Sequence, residues 1–255
     1  MRANLIKTKE LPKVVEPSTT DGMLDMVIAF DTTGSMSDYI NAVKTHVKEL
    51  VPKLFSSNPD LRIGIVAFGD YCDMGSKDNF GKAYQVLDLT NDENKIIQFI
   101  NEAQDTYGGD GDEFYELVIK KITEETEWRE GSTKAVLLIA DAAPHGVGYS
   151  YKGIVSNAQI DWREEAKKAS ESGIKFDTMT IDPMHVEWYK ELSAMTNGVS
   201  VPFKNSGKTS QVIEAAALSR GGTRTKAMYM ATMDSVKDDV ELNAVYTAYS
   251  KEVTD

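Results

Sequence analysis

The stretch Leu24–Ser37, LDMVIAFDTTGSMS, constrains the fold of this chain more than any other. It begins as a short apolar run and ends abruptly at Asp31, which is followed by a glycine and several hydroxyl residues. This pattern predicts a buried strand that stops at a carboxylate and is followed by a helix. In open α/β sheets, ligands bind beyond the carboxyl ends of the strands, so this turn is a candidate functional site.

The residues of the turn carry oxygen atoms at a regular spacing. Asp31, Thr33 and Ser35 are two residues apart, so their side chains are expected to point the same way. Carboxylate and hydroxyl oxygens are hard ligands that suit a small divalent cation such as Mg²⁺, which prefers octahedral oxygen coordination and keeps positions open for water or a ligand. The sequence therefore predicts a metal site at this turn.

The rest of the chain alternates apolar strands with amphipathic helices. After the first strand, apolar residues recur every three or four positions in one stripe, which predicts an amphipathic helix lying on the sheet. Pro52 is predicted to kink or end this helix. The stripe consists of Ile40, Val43, Val47, Leu50 and Leu54. Further strands are predicted at residues 61–69, 83–89, 134–140, 174–181 and 199–203. This order favours an α/β fold with a mainly parallel sheet and helices on both faces, and with the strands at 61–69 and 83–89 as an antiparallel pair at one edge.

The two ends of the chain depart from this alternation. Residues 1–20 mix charged, proline and hydroxyl residues without periodicity and are predicted to be a mobile arm, whereas residues 21–221 are predicted to form one domain. Residues 222–255 are predicted to be a partly helical extension with an apolar stripe, which either packs on its own domain or docks on a partner. The stripe consists of Val236, Val240, Ala244 and Ala248.

Charge and cysteine content narrow the class of protein. The chain of 255 residues has 28 Lys and Arg against 40 Asp and Glu, a formal charge of −12. This charge disfavours binding to nucleic acid or to an anionic membrane surface. Residues 1–17 contain no apolar stretch of the kind found in leader segments, and no run in the sequence approaches the roughly 20 apolar residues that span a bilayer. Because Cys72 is the single cysteine and cannot form an intramolecular disulfide, we expect a cytoplasmic protein.

Two more loops are expected at the same edge of the sheet as Asp31. The apolar run at 134–140 also ends at a carboxylate, Asp141, and the loop Gly108-Gly109-Asp110 precedes a predicted helix. The carboxyl ends of parallel strands lie at one edge, so these loops should meet in one crevice. The predicted metal ligands are therefore Asp31, Thr33, Ser35, Asp110 and Asp141.

These motifs together resemble the von Willebrand factor A domain with its metal-ion-dependent adhesion site. They are DTTGSM at residues 31–36, GGD at 108–110 and IADAAPH at 139–145, in the same order as in that family. The resemblance covers roughly residues 21–221. It implies a Rossmann-like fold with one antiparallel edge strand, and a bound Mg²⁺, Mn²⁺ or Ca²⁺ whose free position is filled by an Asp or Glu of a protein partner.

The resemblance also implies a role and one departure. It implies a cation-dependent adaptor within a larger assembly, without catalysis of its own, with Asp112 and His145 at the border of the partner surface. Asp110 stands where the family more often has a threonine. A third carboxylate would lower the residual charge of the ion, which should favour its retention and weaken its attraction for an acidic partner.

Other interpretations of the same residues remain open. Asp31 and Ser35 are ordinary helix caps, and Asp112 and Glu113 are ordinary residues for the first turn of a helix. A metal-dependent hydrolase or phosphatase could use the same crevice, either with zinc on His145 and His185 or with Asp31 as a nucleophile. The sequence shows no evident general acid for such a reaction. A metal that only staples the loops together is a third possibility.

Overall fold

A six-stranded sheet organises the part of the chain that the computed structural model describes, which is residues 22–74, 80–153, 155–156 and 158–254. The predicted arm at residues 1–20 lies outside this part. The strands are β1 (Leu24–Asp31), β2 (Leu61–Phe68), β3 (Tyr84–Thr90), β4 (Thr133–Ala140), β5 (Ser150–Tyr151), β6 (Val155–Ser156), β7 (Ile174–Thr180) and β8 (Ser200–Pro202). The helices are α1 (Ser37–Ser57), α2 (Phe80–Ala83), α3 (Glu93–Glu102), α4 (Tyr115–Glu125), α5 (Trp162–Glu171), α6 (Val186–Met195), α7 (Thr209–Arg220), α8 (Gly222–Ser235) and α9 (Val240–Thr254). Short 3₁₀ turns lie at Gly34–Met36, Tyr71–Met74, Pro183–His185 and Ser206–Lys208.

The sheet has the strand order β3-β2-β1-β4-β7-β8. All neighbours are parallel except β3, which pairs antiparallel with β2 at one edge. This confirms the predicted Rossmann-like sheet with one antiparallel edge strand. Strand β1 lies between β2 and β4, and all eight of its residues are buried. The predicted metal turn therefore follows a central strand.

Two hydrophobic cores cover the two faces of the sheet. Alternate residues of β1 point to opposite faces, so Met26 and Ile28 join one core while Val27 and Ala29 join the other. Helices α1, α3, α7, α8 and α9 contribute to the first core, and α4, α5 and α6 to the second. Helices on both faces were predicted from the strand and helix alternation. In the part of the chain described here, no helix has the length and apolar character needed to cross a bilayer.

Helix α1 shows the predicted stripe but not the predicted end. All five residues of the stripe are buried. Pro52 lies inside α1, and the helix continues to Ser57. Of the two predicted effects of Pro52, a kink or an end, the end is wrong, because packing of the flanking Leu50, Val51 and Leu54 against the sheet holds the turn that lacks one backbone donor.

The C-terminal segment is part of the domain, and its apolar face differs from the prediction. In α9 the buried residues are Leu242, Val245, Tyr246, Tyr249 and Val253, all within the first core. Val240 is 84% exposed, and Ala244 is also exposed. Val236 and Ala248 are partly buried against the first core, so the predicted stripe is wrong at Val240 and Ala244. The larger tyrosines, which bury more apolar area, take the buried face there. The segment packs on its own domain. This was one of the two alternatives predicted from the sequence.

A buried charged network closes the opposite end of β1. Asp25 is fully buried, and its oxygens accept from Arg62 Nε at 2.9 Å and Arg62 Nη2 at 2.7 Å. Arg129 donates to the same carboxylate through Nε at 2.9 Å and its backbone N–H at 2.8 Å. Burial alone would raise the pKa of Asp25, but these donors outweigh burial and hold the pKa below its ordinary value.

Candidate metal centre

Asp31 is fixed at the carboxyl end of β1 by three hydrogen bonds. Its side chain is fully buried. Oδ1 accepts from the backbone N–H and the hydroxyl of Thr33, both at 2.7 Å, and Oδ2 accepts from the Tyr115 hydroxyl at 2.6 Å. The chain folds this way because a carboxylate readily accepts from the backbone two residues further on. Both oxygens therefore have defined positions within the turn.

Tyr115 connects the Asp31 turn to the end of β4. Its hydroxyl accepts from the backbone N–H of Ala142 at 3.1 Å while it donates to Asp31. The ring is fully buried, with an edge contact of 5.4 Å between its centroid and that of Phe68. Tyr115 was not identified from the sequence, since only the folded structure brings the first turn of α4 to β1.

Asp141 lies at the same edge and acts on Asp31 electrostatically. It follows β4 directly and precedes Ala142, and it is half-buried. Burial raises the pKa of Asp31, and the charge of Asp141 raises it further, against the donors Tyr115 and Thr33. Two carboxylates in this arrangement repel each other when both are ionised, and a cation between them would offset that repulsion.

The hydroxyl residues of the turn differ in exposure. Thr33 is 4% exposed and bonded to Asp31, whereas Ser35 is exposed on the 3₁₀ turn. Neither that turn nor α1 has a side-chain hydrogen bond at its N-cap. The alternative in which Asp31 and Ser35 cap the helix therefore finds no support in this geometry.

Asp110 lies in a second cluster. Among the described residues, the one group of three acidic, histidine or cysteine side chains whose ligand atoms lie within 4.8 Å of one another is Asp70, Asp110 and His145. Asp31, Asp110 and Asp141 do not form such a group. Asp110 is exposed, and its Oδ2 accepts from the Tyr149 hydroxyl at 2.7 Å. The Gly108-Gly109 loop thus places Asp110 with Asp70 and His145, near the end of β2.

Glu113 is a buried carboxylate with one oxygen, Oε2, that has no hydrogen-bond partner. The sequence analysis had assigned Glu113 to the first turn of a helix. The structure starts α4 two residues later, at Tyr115. Glu113 is 4% exposed, and its Oε2 has no hydrogen-bond partner. Burial raises the pKa of Glu113, and the charges of Asp31, Asp70, Asp73 and Asp110 raise it further, in that order. An orphaned carboxylate oxygen among other carboxylates is the environment that a divalent cation would fit.

His145 does not lie at the surface, where the resemblance had placed it. Its side chain is 3% exposed, and its ring stacks on Tyr149 with centroids 3.6 Å apart. Nε2 lies 2.6 Å from Oδ1 of Asp70. Burial alone would lower the pKa of His145, but the hydrogen bond and charge of Asp70 outweigh it and raise the pKa. Asp112, the other residue expected near a partner, is exposed.

Similarity to known proteins agrees with the fold. The sequence matches the von Willebrand factor type A domain family over residues 25–239. It is similar to the alpha-protein kinase vwkA of Dictyostelium discoideum, with 32% identity over 130 residues. That match includes 49% of this chain and 19% of the kinase, so the matched half of this chain corresponds to about a fifth of that protein's length.

Two solved structures share the fold at low sequence identity. The pilus adhesin SpaC of Lactobacillus rhamnosus GG, in its open conformation, has a TM-score of 0.55 and 17% identity, covering 80% of this chain and 30% of the adhesin. An aerotolerance-related membrane protein of Bacteroides fragilis has a TM-score of 0.51 and 17% identity, covering 76% of this chain and 98% of that one. The family match includes most of the chain, extends through α8 and agrees with the observed sheet. This chain therefore belongs to the von Willebrand factor type A domain family.

Proposed function

We propose that this domain is a divalent-cation-dependent protein-binding module that captures an Asp or Glu side chain of a protein partner. Domains of this family commonly mediate protein–protein interactions. The observation that carries the proposal is the fixed, buried carboxylate of Asp31 at the carboxyl end of a central strand, with Asp141 beside it.

The residues that would hold the ion are Asp31, Thr33, Ser35 and Asp141, whereas Asp110, the fifth ligand predicted from the sequence, groups with Asp70 and His145. The donor set consists of carboxylate and hydroxyl oxygens, which suit Mg²⁺, and also Mn²⁺ or Ca²⁺. When bound, the cation supplies an electrophilic position that a carboxylate can fill. The chain supplies the orientation: Thr33 and Tyr115 hold both oxygens of Asp31, and the Ser35 hydroxyl is exposed and therefore accessible to an ion.

Charge supports the dependence on a cation. Within the described residues, no Lys or Arg forms an ion pair with Asp31, Asp110, Glu113 or Asp141. Without a cation, this edge of the sheet would repel an acidic partner; with one, the partner's carboxylate gains an attractive charge. We further propose that the domain is an adaptor within a larger assembly, from the family resemblance, and that it is cytoplasmic, from its single cysteine.

The test uses bound Mn²⁺ as the reporter and a small acid as the partner. A bound Mn²⁺ ion that still carries water molecules in its coordination shell increases the relaxation rate of the water protons. A carboxylate that takes one of these coordination positions displaces water and therefore lowers this rate. We expect N-acetyl-aspartic acid amide to lower the relaxation rate of the Mn²⁺-loaded chain, and N-acetyl-asparagine amide to leave it unchanged. The His145→Gln variant serves as the background, so that the Asp70 cluster does not contribute.

Two serine variants provide a matched comparison in the same segment. Ser35→Ala removes a predicted ligand, whereas Ser37→Ala removes a hydroxyl that donates to the backbone oxygen of Gly34. We expect Ser35→Ala to abolish the response to the acid and Ser37→Ala to retain it. An equal response to acid and amide, or a response that survives in Ser35→Ala, contradicts capture of a carboxylate at this site.

A further inference from the structure

A second group of ligand atoms lies beside the Asp31 turn. Asp70 follows β2, Asp110 lies in the loop before α4, and His145 follows β4. Their carboxylate and imidazole ligand atoms all lie within 4.8 Å of one another. A zinc ion has ligands at about 2.0–2.2 Å, so an ion bound by all three would replace the 2.6 Å contact between His145 Nε2 and Asp70 Oδ1 and draw in the exposed Asp110 side chain.

The surroundings hold these side chains in place. The His145 backbone N–H donates to Glu116 Oε2 at 3.2 Å, and its ring stacks on Tyr149. The Tyr149 hydroxyl in turn donates to Asp110 at 2.7 Å. One tyrosine therefore contacts two of the three side chains, which is the role of the outer residues that orient ligands in metal sites.

A separate observation points to a cation at this place. Asp70 is fully buried and Glu113 is 4% exposed. The Glu113 oxygen Oε2 has no partner, and its carboxyl group lies in the field of Asp31 and also of Asp70, Asp73 and Asp110. In the part of the chain that is described, no Lys or Arg forms an ion pair with Asp70, Asp110 or Glu113. Asp70 has His145 as its ion-pair partner, whereas Glu113 has none, and a buried carboxylate without a compensating charge is costly unless it is protonated or a cation lies near it.

We propose that Asp70, Asp110 and His145 form a second metal site, distinct from the Asp31 turn, that binds a transition-metal ion of the Zn²⁺ class. The imidazole nitrogen selects this class, because Mg²⁺ and Ca²⁺ prefer oxygen ligands alone. Three protein ligands leave a position for water, as in other zinc sites with an incomplete protein shell. The ion joins the loops after β2 and β4 to the loop before α4, and so holds Asp110 away from the Asp31 turn.

The experiment is a Zn²⁺ titration of the full chain after metal removal, in competition with a chromophoric chelator. We expect one equivalent in the wild type, and a loss of at least about 10-fold in affinity in both His145→Gln and Asp110→Asn. His46→Gln changes an exposed histidine on α1 and serves as the matched control. Asp31→Asn tests independence from the first site, and both of these variants should bind Zn²⁺ as the wild type does.

The outcomes separate this proposal from the proposed function. Absence of Zn²⁺ binding in the folded wild type, or full binding in Asp110→Asn, overturns the second site. Loss of Zn²⁺ binding in Asp31→Asn also overturns it, since the ion would then belong to the first site. If circular dichroism shows that His145→Gln is unfolded, the exposed Asp110→Asn decides alone. Mg²⁺ binding tests the first site instead: Asp110→Asn should keep it and Asp31→Asn should lose it. Neither Mg²⁺ result changes the conclusion drawn from Zn²⁺ binding.

Discussion

The Tyr115 hydroxyl donates a hydrogen bond of 2.6 Å to Oδ2 of Asp31, and both side chains are fully buried. The same hydroxyl accepts from the backbone of Ala142, one residue after Asp141. The first turn of α4 thus holds the ends of the two central strands β1 and β4 together. In this domain the orientation of the proposed ligand Asp31 depends on a residue 84 positions further along the chain.

Tyr115→Phe should weaken metal binding more than it weakens the fold. The variant keeps the ring and its packing but removes the donor that orients Asp31. We expect Mg²⁺ affinity to fall by about 10-fold, the typical effect of losing an outer-shell partner, and stability to fall by about 1–2 kcal/mol. Isothermal titration and denaturant unfolding measure the two quantities. Tyr107→Phe, at a tyrosine that is 93% exposed, should change neither; equal Mg²⁺ affinity in both variants would contradict the role of Tyr115.

The Asp25 network should make the domain sensitive to acid. The pKa of Asp25 in the fold lies below its ordinary value, which is about 3.9 in an unfolded chain. The stability from this group is therefore fully present above pH 4 and is lost as the pH falls through the lower pKa of the folded state. Unfolding free energies measured between pH 7 and pH 3 should show this loss in the wild type.

Asp25→Asn tests the origin of that loss. The variant leaves Arg62 and Arg129 without their shared carboxylate, so we expect a destabilisation of about 3 kcal/mol at pH 7 and a flatter dependence on pH. Asp38→Asn, at an exposed aspartate of α1, is the control and should follow the wild type. If the unfolding free energy of Asp25→Asn depends on pH as steeply as that of the wild type, the acid sensitivity arises from other carboxylates.

Helix α9 should contribute to the stability of the domain. Tyr249 is fully buried in the first core, while Val240 in the same helix is 84% exposed. We expect Tyr249→Ala to cost about 3–5 kcal/mol, as for other buried aromatic side chains, and Val240→Ala to change stability by less than about 0.5 kcal/mol. Urea unfolding measures both. Similar small effects in the two variants would mean that α9 is an appendage that does not share the core.

The strands and helices were predicted correctly where the sequence shows a single clear apolar periodicity. The apolar run of β1 and the stripe from Ile40 to Leu54 each have a clear period, and both elements form as predicted. The antiparallel edge strand also followed from the sequence, since no long helix separates β2 from β3. Near α9 the stripe of small aliphatic residues was only partly right, since Val236 and Ala248 pack against the core while Val240 and Ala244 are exposed and the tyrosines are buried.

The candidate site was less accessible to sequence analysis because it depends on contacts between distant segments. Asp31 and Asp141 were found because each directly ends a strand. Tyr115 and Glu113 reach the same edge from the start of α4, and no local spacing indicates that the first donates to Asp31 or that the second is buried. Asp70 was not among the site residues predicted from the sequence, and its 2.6 Å contact with His145 in the fold identifies the cluster.

The most direct test of the metal-dependent account is the melting temperature of the wild type and of Asp31→Asn, first in chelator and then in excess Mg²⁺. An ion at about 100 times its dissociation constant stabilises the folded state by about 2.7 kcal/mol, which corresponds to roughly 5–10 °C for a domain of this size. The account predicts this increase in the wild type and in Asp38→Asn, and no increase in Asp31→Asn. An equal increase in Asp31→Asn, or no increase in the wild type at any Mg²⁺ or Mn²⁺ concentration, would contradict it.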